Sequence, residues 1–236
     1  MARSGSVDYT VTRNTLIQMA FELIKVGTEG ESLDTEDTNV AIRVLNVMIK
    51  AMMPYGLMLW KREQVTVPLT ASTAAYTIGR SGTPTVTADR PVRLHAAHLV
   101  DSSGNRTELT IVSFQEYKNR SNLTSSGAPS EVCFDPTLDN STLYVWPVPT
   151  TADATAYDIY LTVQMPLEDM DGSTDNFDFP QEWEEVLMYM LAVRLAPRYG
   201  LSIQERSMLR AEAKEALELV LGFDNEGNSV YFMAEL

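Results

Sequence analysis

This chain of 236 residues has a single cysteine, Cys133, and only two histidines, His95 and His98. One cysteine excludes an intrachain disulfide and leaves a zinc site short of ligands. The histidines lie three apart in a stretch that reads as a strand, so they are expected on opposite faces and cannot share a metal. Positive charge is also scarce: 18 basic residues stand against 32 acidic ones, a net charge of -14. Gripping DNA without regard to sequence requires cations that neutralise phosphates, so this chain is a poor DNA clamp. It suits a wall along which DNA slides without sticking. The longest apolar stretch, within residues 186–196, falls far short of the ~20 residues that a spanning helix needs, so no membrane association is expected. The opening MARSGSVDYT lacks the apolar core of a signal peptide, and a reducing, soluble setting is expected. There is no Gly-x-Ser-x-Gly, no Gly-Lys-Ser/Thr phosphate loop and no Gly-x-Gly-x-x-Gly. Carboxylates are dense from Glu168 to Asp175. Counted from Asp169, however, glycine comes at the fourth position of a calcium loop instead of the sixth, and Pro180 takes the twelfth. That stretch reads as a solvated acidic linker, and no metal or cofactor is expected.

Hydrophobic residues make up 44% of the chain, enough for one large core or two small ones. The chain is organised around Phe179 to Gly200. Pro180 suits a first helical turn, and Glu182, Glu184 and Glu185 follow at the end where the helix dipole favours negative charge. Val186 to Ala196 is apolar on nearly every side, which marks a central helix packed by several neighbours. Upstream, Thr12 caps a helix whose stripe is Leu16, Met19, Ala20, Leu23 and Ile24, closed by Gly27. Thr35, Glu36 and Asp37 start a second helix, with a face of Val40, Ala41, Val44, Leu45, Met48 and Met52, that stops at Pro54-Tyr55-Gly56. The matching stripes predict an antiparallel pair. Downstream, Ser202 and Glu205 form a capping box for a last helix with the face Ile203, Met208, Leu209, Ala213, Ala216, Leu217 and Val220, ended by Gly222.

After Trp60 the period changes to two. Strands are expected at 64–67, 75–78, 92–100, 107–112, 131–134, 142–145 and 157–163, with one helical turn at 113–119. The fold class is therefore α+β: a four-helix bundle with an inserted antiparallel β-sandwich-like domain and an extended C-terminal tail. The expected divisions are 1–60, an N-terminal helix pair; 61–166, the β domain; 167–222, a C-terminal helix pair; and 223–236, the tail. That tail ends in an apolar cluster, Val230, Tyr231, Phe232 and Met233. It either folds back on its own bundle or docks on another subunit through the kind of aromatic anchors that interfaces favour.

Several stretches in this order resemble one family. They are Leu45-Asn46-Val47-Met48-Ile49 and Tyr55-Gly56-Leu57-Met58-Leu59-Trp60, then Tyr76-Thr77-Ile78-Gly79 and Arg90-Pro91-Val92-Arg93. Gly127-Ala128-Pro129 and Leu143-Tyr144-Val145-Trp146-Pro147-Val148-Pro149 follow, and then Phe179-Pro180-Gln181-Glu182-Trp183 and Leu191 to Gly200. Spanning residues 14–220, the set resembles the head-to-tail adaptors of short-tailed bacteriophages, also called tail accessory factors, packaged-DNA stabilisation proteins or tail tubular protein A. The resemblance implies a structural virion protein without catalysis, made in the host cytoplasm and located at the neck of the particle. It implies a ring of twelve subunits beneath the portal protein, extending the channel for double-stranded DNA and carrying the tail nozzle or tail-spike protein. The tail then becomes a portal-docking arm, with Phe223, Val230, Tyr231, Phe232, Met233 and Leu236 as candidate anchors. The alternative is a virion-associated peptidoglycan-degrading enzyme using a carboxylate pair.

Overall fold

The computed structural model describes residues 9–25, 33–53, 59–175 and 177–223. The expected stops at Gly27 and at Pro54-Tyr55-Gly56 lie outside the described residues. Two compact units emerge: one from the described residues up to Trp60 together with those from Leu167 onward, the other from Lys61–Pro166. Among the described residues, six α-helices and two sheets make the fold α+β.

In the helical unit, α1 (Arg13–Leu23) is capped by Thr12, whose hydroxyl accepts from the Thr15 N–H. Its buried stripe is Leu16, Ile17, Ala20, Phe21 and Ile24, while Met19 and Leu23 lie at the margin. The stripe is therefore turned by one residue from the expected one, because it must also seat Phe21, whose ring meets Tyr199 edge-on at 5.2 Å. Helix α2 (Thr35–Met52) buries Val40, Ala41, Leu45, Met48, Ile49 and Met52, with Val44 only half-buried. Pro180 does not start the central helix. A 3₁₀ turn at Gln181–Trp183 comes first, and only then α5 (Glu184–Leu195). This short helix packs on α1, on α2 and on α6 (Ile203–Phe223), whereas α1 and α2 touch each other little. The antiparallel pair is thus a secondary contact. The all-round apolar surface of α5 offers each outer helix more area to cover than the other's single stripe does.

In the β unit, β1 (Arg62–Pro68), β4 (Arg93–Asp101), β5 (Arg106–Glu108) and β9 (Tyr157–Gln164) form an antiparallel sheet in the order β1-β9-β4-β5. The second sheet, ordered β3-β2-β8-β7-β6, combines β2 (Ala75–Gly79), β3 (Val86–Thr87), β6 (Thr110–Ile111), β7 (Glu131–Asp135) and β8 (Asn140–Trp146). It is mixed, not antiparallel throughout: β2 runs parallel to β3, and β6 parallel to β7. Inward residues of both sheets form one apolar cluster, including Val67, Ile159 and Leu161 from the first and Tyr76, Leu143 and Val145 from the second. The strand expected at 107–112 breaks at Leu109, which is buried there, so that β5 joins one sheet and β6 the other. The helical turn after it is α3 (Phe114–Lys118), closed by a capping box between Ser113 and Glu116. A second short helix, α4 (Thr151–Ala156), carries the same device between Thr150 and Asp153.

Candidate functional site

The acidic stretch from Leu167 to Asp178 is not a free linker. Leu167 and Met170 are buried in the helical core while Glu168, Asp169 and Asp171 point to solvent. The backbone between them is held from two helices. Asn46 of α2 accepts from the Met170 N–H at 2.9 Å and donates to its carbonyl at 3.4 Å. Lys50 donates to the Leu167 carbonyl at 2.5 Å and pairs with Asp169 at 3.0 Å. Arg13, only 6% exposed at the start of α1, donates to the carbonyls of Asp171 at 2.6 Å and Met170 at 3.3 Å. A buried guanidinium needs such acceptors, and backbone carbonyls supply them without a second charge. The strap ends near Asp178, whose carbonyl accepts from the Trp60 indole at 3.1 Å within a cluster of Trp60, Phe179 and Trp183. The sequence signal was an apolar residue, Met170, standing alone among carboxylates.

The far end of α5 is pinned in a similar way. Tyr199 donates to the Asp37 carboxylate at 2.6 Å, and Arg198 pairs with Glu36 at 3.7 Å. Burial, reinforced by that carboxylate, pushes the Tyr199 phenol up to about 12. The chain then turns through Gly200, whose φ of +73° favours glycine, into α6. Ser202 and Glu205 exchange the expected capping bonds.

Helix α6 has the most open surface of the helical unit. Ala213 and Ala216 are buried against α5, and Leu209, Leu217 and Val220 are half-buried. Ile203 and Met208 belong to the expected face, yet they stand in solvent at 78% and 69% exposure, as does Leu219 at 71%. The helix crosses α5 along a narrower band than the sequence pattern implied, and it runs on through Gly222 to Phe223. Between α5 and α6 lies a cleft of about 450 Å³, floored by Met190, Val193, Ala213, Leu217 and Leu221. Arg194, Arg210 and Lys214 rim it, with Glu218, which pairs with Lys214 at 3.5 Å. Arg206, Arg210 and Lys214 recur every four residues and share one helix face. A search of α6 for its apolar stripe alone passes over this basic row.

The β unit presents a different surface. Lys118 lies over the rings of Phe114, Tyr117 and Tyr144 at 5.1–5.7 Å. Arg120 pairs with Glu131 and covers Trp146. At the other side a cleft gathers His95 and Ala96 with Glu108 and Thr110; it holds one carboxylate, not the pair that glycan cleavage needs. His95 sits at a bulge in β4, so strict alternation between the two histidines fails there. No group of three potential metal ligands occurs among the described residues, and none of their helices is long and apolar enough to cross a membrane.

Of the candidate docking residues, Phe223 is the last residue of α6. Val230, Tyr231, Phe232, Met233 and Leu236 lie outside the described residues.

A model of the SU10 adaptor protein family matches residues 15–229. The comparison with curated proteins gives no match. Among solved structures, a chain from the neck of an empty GTA particle computed with C6 symmetry aligns over 86% of this chain and 93% of its own. Its identity is 11% and its TM-score 0.28, too low for that likeness to carry weight.

Proposed function

The chain belongs to the SU10 adaptor protein family, and on that premise we propose that it is a structural head-to-tail adaptor of a phage particle. In this reading it sits at the neck of the virion as a ring of twelve subunits beneath the portal protein. The ring extends the DNA channel and offers a platform to the tail nozzle or tail-spike protein. The observation that carries the reading is a family match running through both units, from α1 to beyond α6.

The parts divide as follows. The helices α1, α2, α5 and α6 act as one bundle built on 1–60 and 167–222, stiffened by the strap. The β domain, 61–166, gives the subunit its second surface, as a closed ring of head-to-tail contacts requires. Residues 223–236 form the portal-docking arm, with Phe223, Val230, Tyr231, Phe232, Met233 and Leu236 as anchors. The net charge of -14 lets double-stranded DNA pass without adhering. The subunit is made in the host cytoplasm and works by binding, not by catalysis.

Native mass spectrometry of the protein mixed with the purified portal ring of the same phage tests this. Twelve added copies per portal ring are expected. Two folded proteins that show no association would overturn the reading.

A further inference from the structure

We propose that the cleft between α5 and α6 is the seat of residues 224–236 of the same chain. The cleft and the segment match in three respects. The floor, from Met190 to Leu221, is apolar, and the segment carries four consecutive apolar residues, Val230 to Met233. The rim is cationic on balance, with Arg194, Arg210 and Lys214 against Glu218, in a protein whose net charge is -14. The segment holds Asp224, Glu226 and Glu235 and no basic residue. An apolar centre within a charged margin of opposite sign is the usual anatomy of a specific contact.

The third match is reach. Helix α6 ends at Phe223, two residues beyond Leu221 of the cleft. From Leu221 back to Arg210 is about 16 Å along a helix. Asn225, Glu226, Gly227 and Asn228 have the chemistry of a reversing turn. From Gly227 to Met233 an extended chain covers about 20 Å, enough to run back along that helical span. DNA would satisfy the cations but not the apolar floor, so the acidic, aromatic segment is the better occupant. The proposal rests on the cleft and the tail sequence and does not require portal binding; it gives the arm a place before assembly.

Hydrogen exchange of the full chain, in dilute solution without portal, tests it. Amides 230–233 are expected to exchange about tenfold or more slowly than in the synthetic peptide 224–236. Lys214→Glu and Phe232→Ser should each abolish that slowing while exchange in the β unit stays as it is. Circular dichroism of both variants, unchanged from the parent protein, keeps the test clear of misfolding. Unprotected amides, or protection that survives either substitution, would overturn the proposal. So would protection that rises with protein concentration, which would place the segment in a neighbouring copy. Slowed exchange in α6 on adding a DNA duplex, lost in Lys214→Glu, would assign the cations to phosphate instead. None of these results bears on whether the portal binds.

Discussion

Cys133 is 1% exposed in β7, and burial pushes its thiol above the ordinary range. A raised pKa means less thiolate at any given pH, and burial blocks access to it. Alkylation of the folded protein at mildly basic pH should run about tenfold or more slower than that of a free thiol and become complete on denaturation. Rapid stoichiometric labelling of the native protein would refute the buried placement. Gly79 illustrates a different constraint at the same scale. A Cβ there would come within 1.9 Å of Asn140 Oδ1. That oxygen accepts from the Ser81 N–H at 3.0 Å, and the Asn140 amide donates to the Ser81 carbonyl at 2.8 Å. The glycine of Tyr76-Thr77-Ile78-Gly79 thus makes room for a clamp that the sequence motif did not reveal.

Among the elements, the strap from Leu167 to Asp178 departs furthest from its sequence reading. Its charges pointed to solvation, and its exposed side chains are indeed acidic. What holds it, however, is backbone pairing to Asn46, Lys50 and Arg13, which are more than 100 residues away in sequence. Asn46→Ala removes a donor and an acceptor and leaves the Met170 N–H and carbonyl without those partners. It should lower stability by about 1–2 kcal/mol, seen as a lower denaturant midpoint with an unchanged slope. Asn46→Asp keeps the acceptor but brings a third charge towards Asp169 and Asp171, so it should not rescue the loss. An unchanged midpoint in Asn46→Ala would show that the strap is merely laid on the surface. Two caps were easier to read: Thr12 and Ser202 act as the local sequence states, because a capping bond closes within three residues. Helix α2, by contrast, starts from Asp34, one residue before the expected Thr35, with no side-chain cap bond. Faces were harder. The stripe of α1 shifted because the neighbour it meets, Tyr199, lies far away in the chain, and that of α6 because only a narrow band of it meets α5.

At the scale of the molecule, the proposed arm yields the sharpest expectation. Removing residues 224–236 should leave the β unit folded, since that unit is Lys61–Pro166 and the deletion lies outside it. Portal affinity should fall about thirtyfold or more, as expected when an interface loses an aromatic anchor worth about 2 kcal/mol. An unchanged affinity, measured by titrating the truncated protein against portal rings, would sink the docking arm and leave the adaptor reading standing. Sequence alone determined the α+β class, the caps at Thr12 and Ser202, most strand positions and the adaptor resemblance. These depend on periodicity, on bonds that close locally, or on the order of motifs, all of which survive in one dimension. Only the tertiary structure decided the mixed second sheet, the break at Leu109, the anchored strap and the cleft between α5 and α6. Each arises where distant segments compete for the same backbone partners or the same apolar surface, and that competition has no local signature.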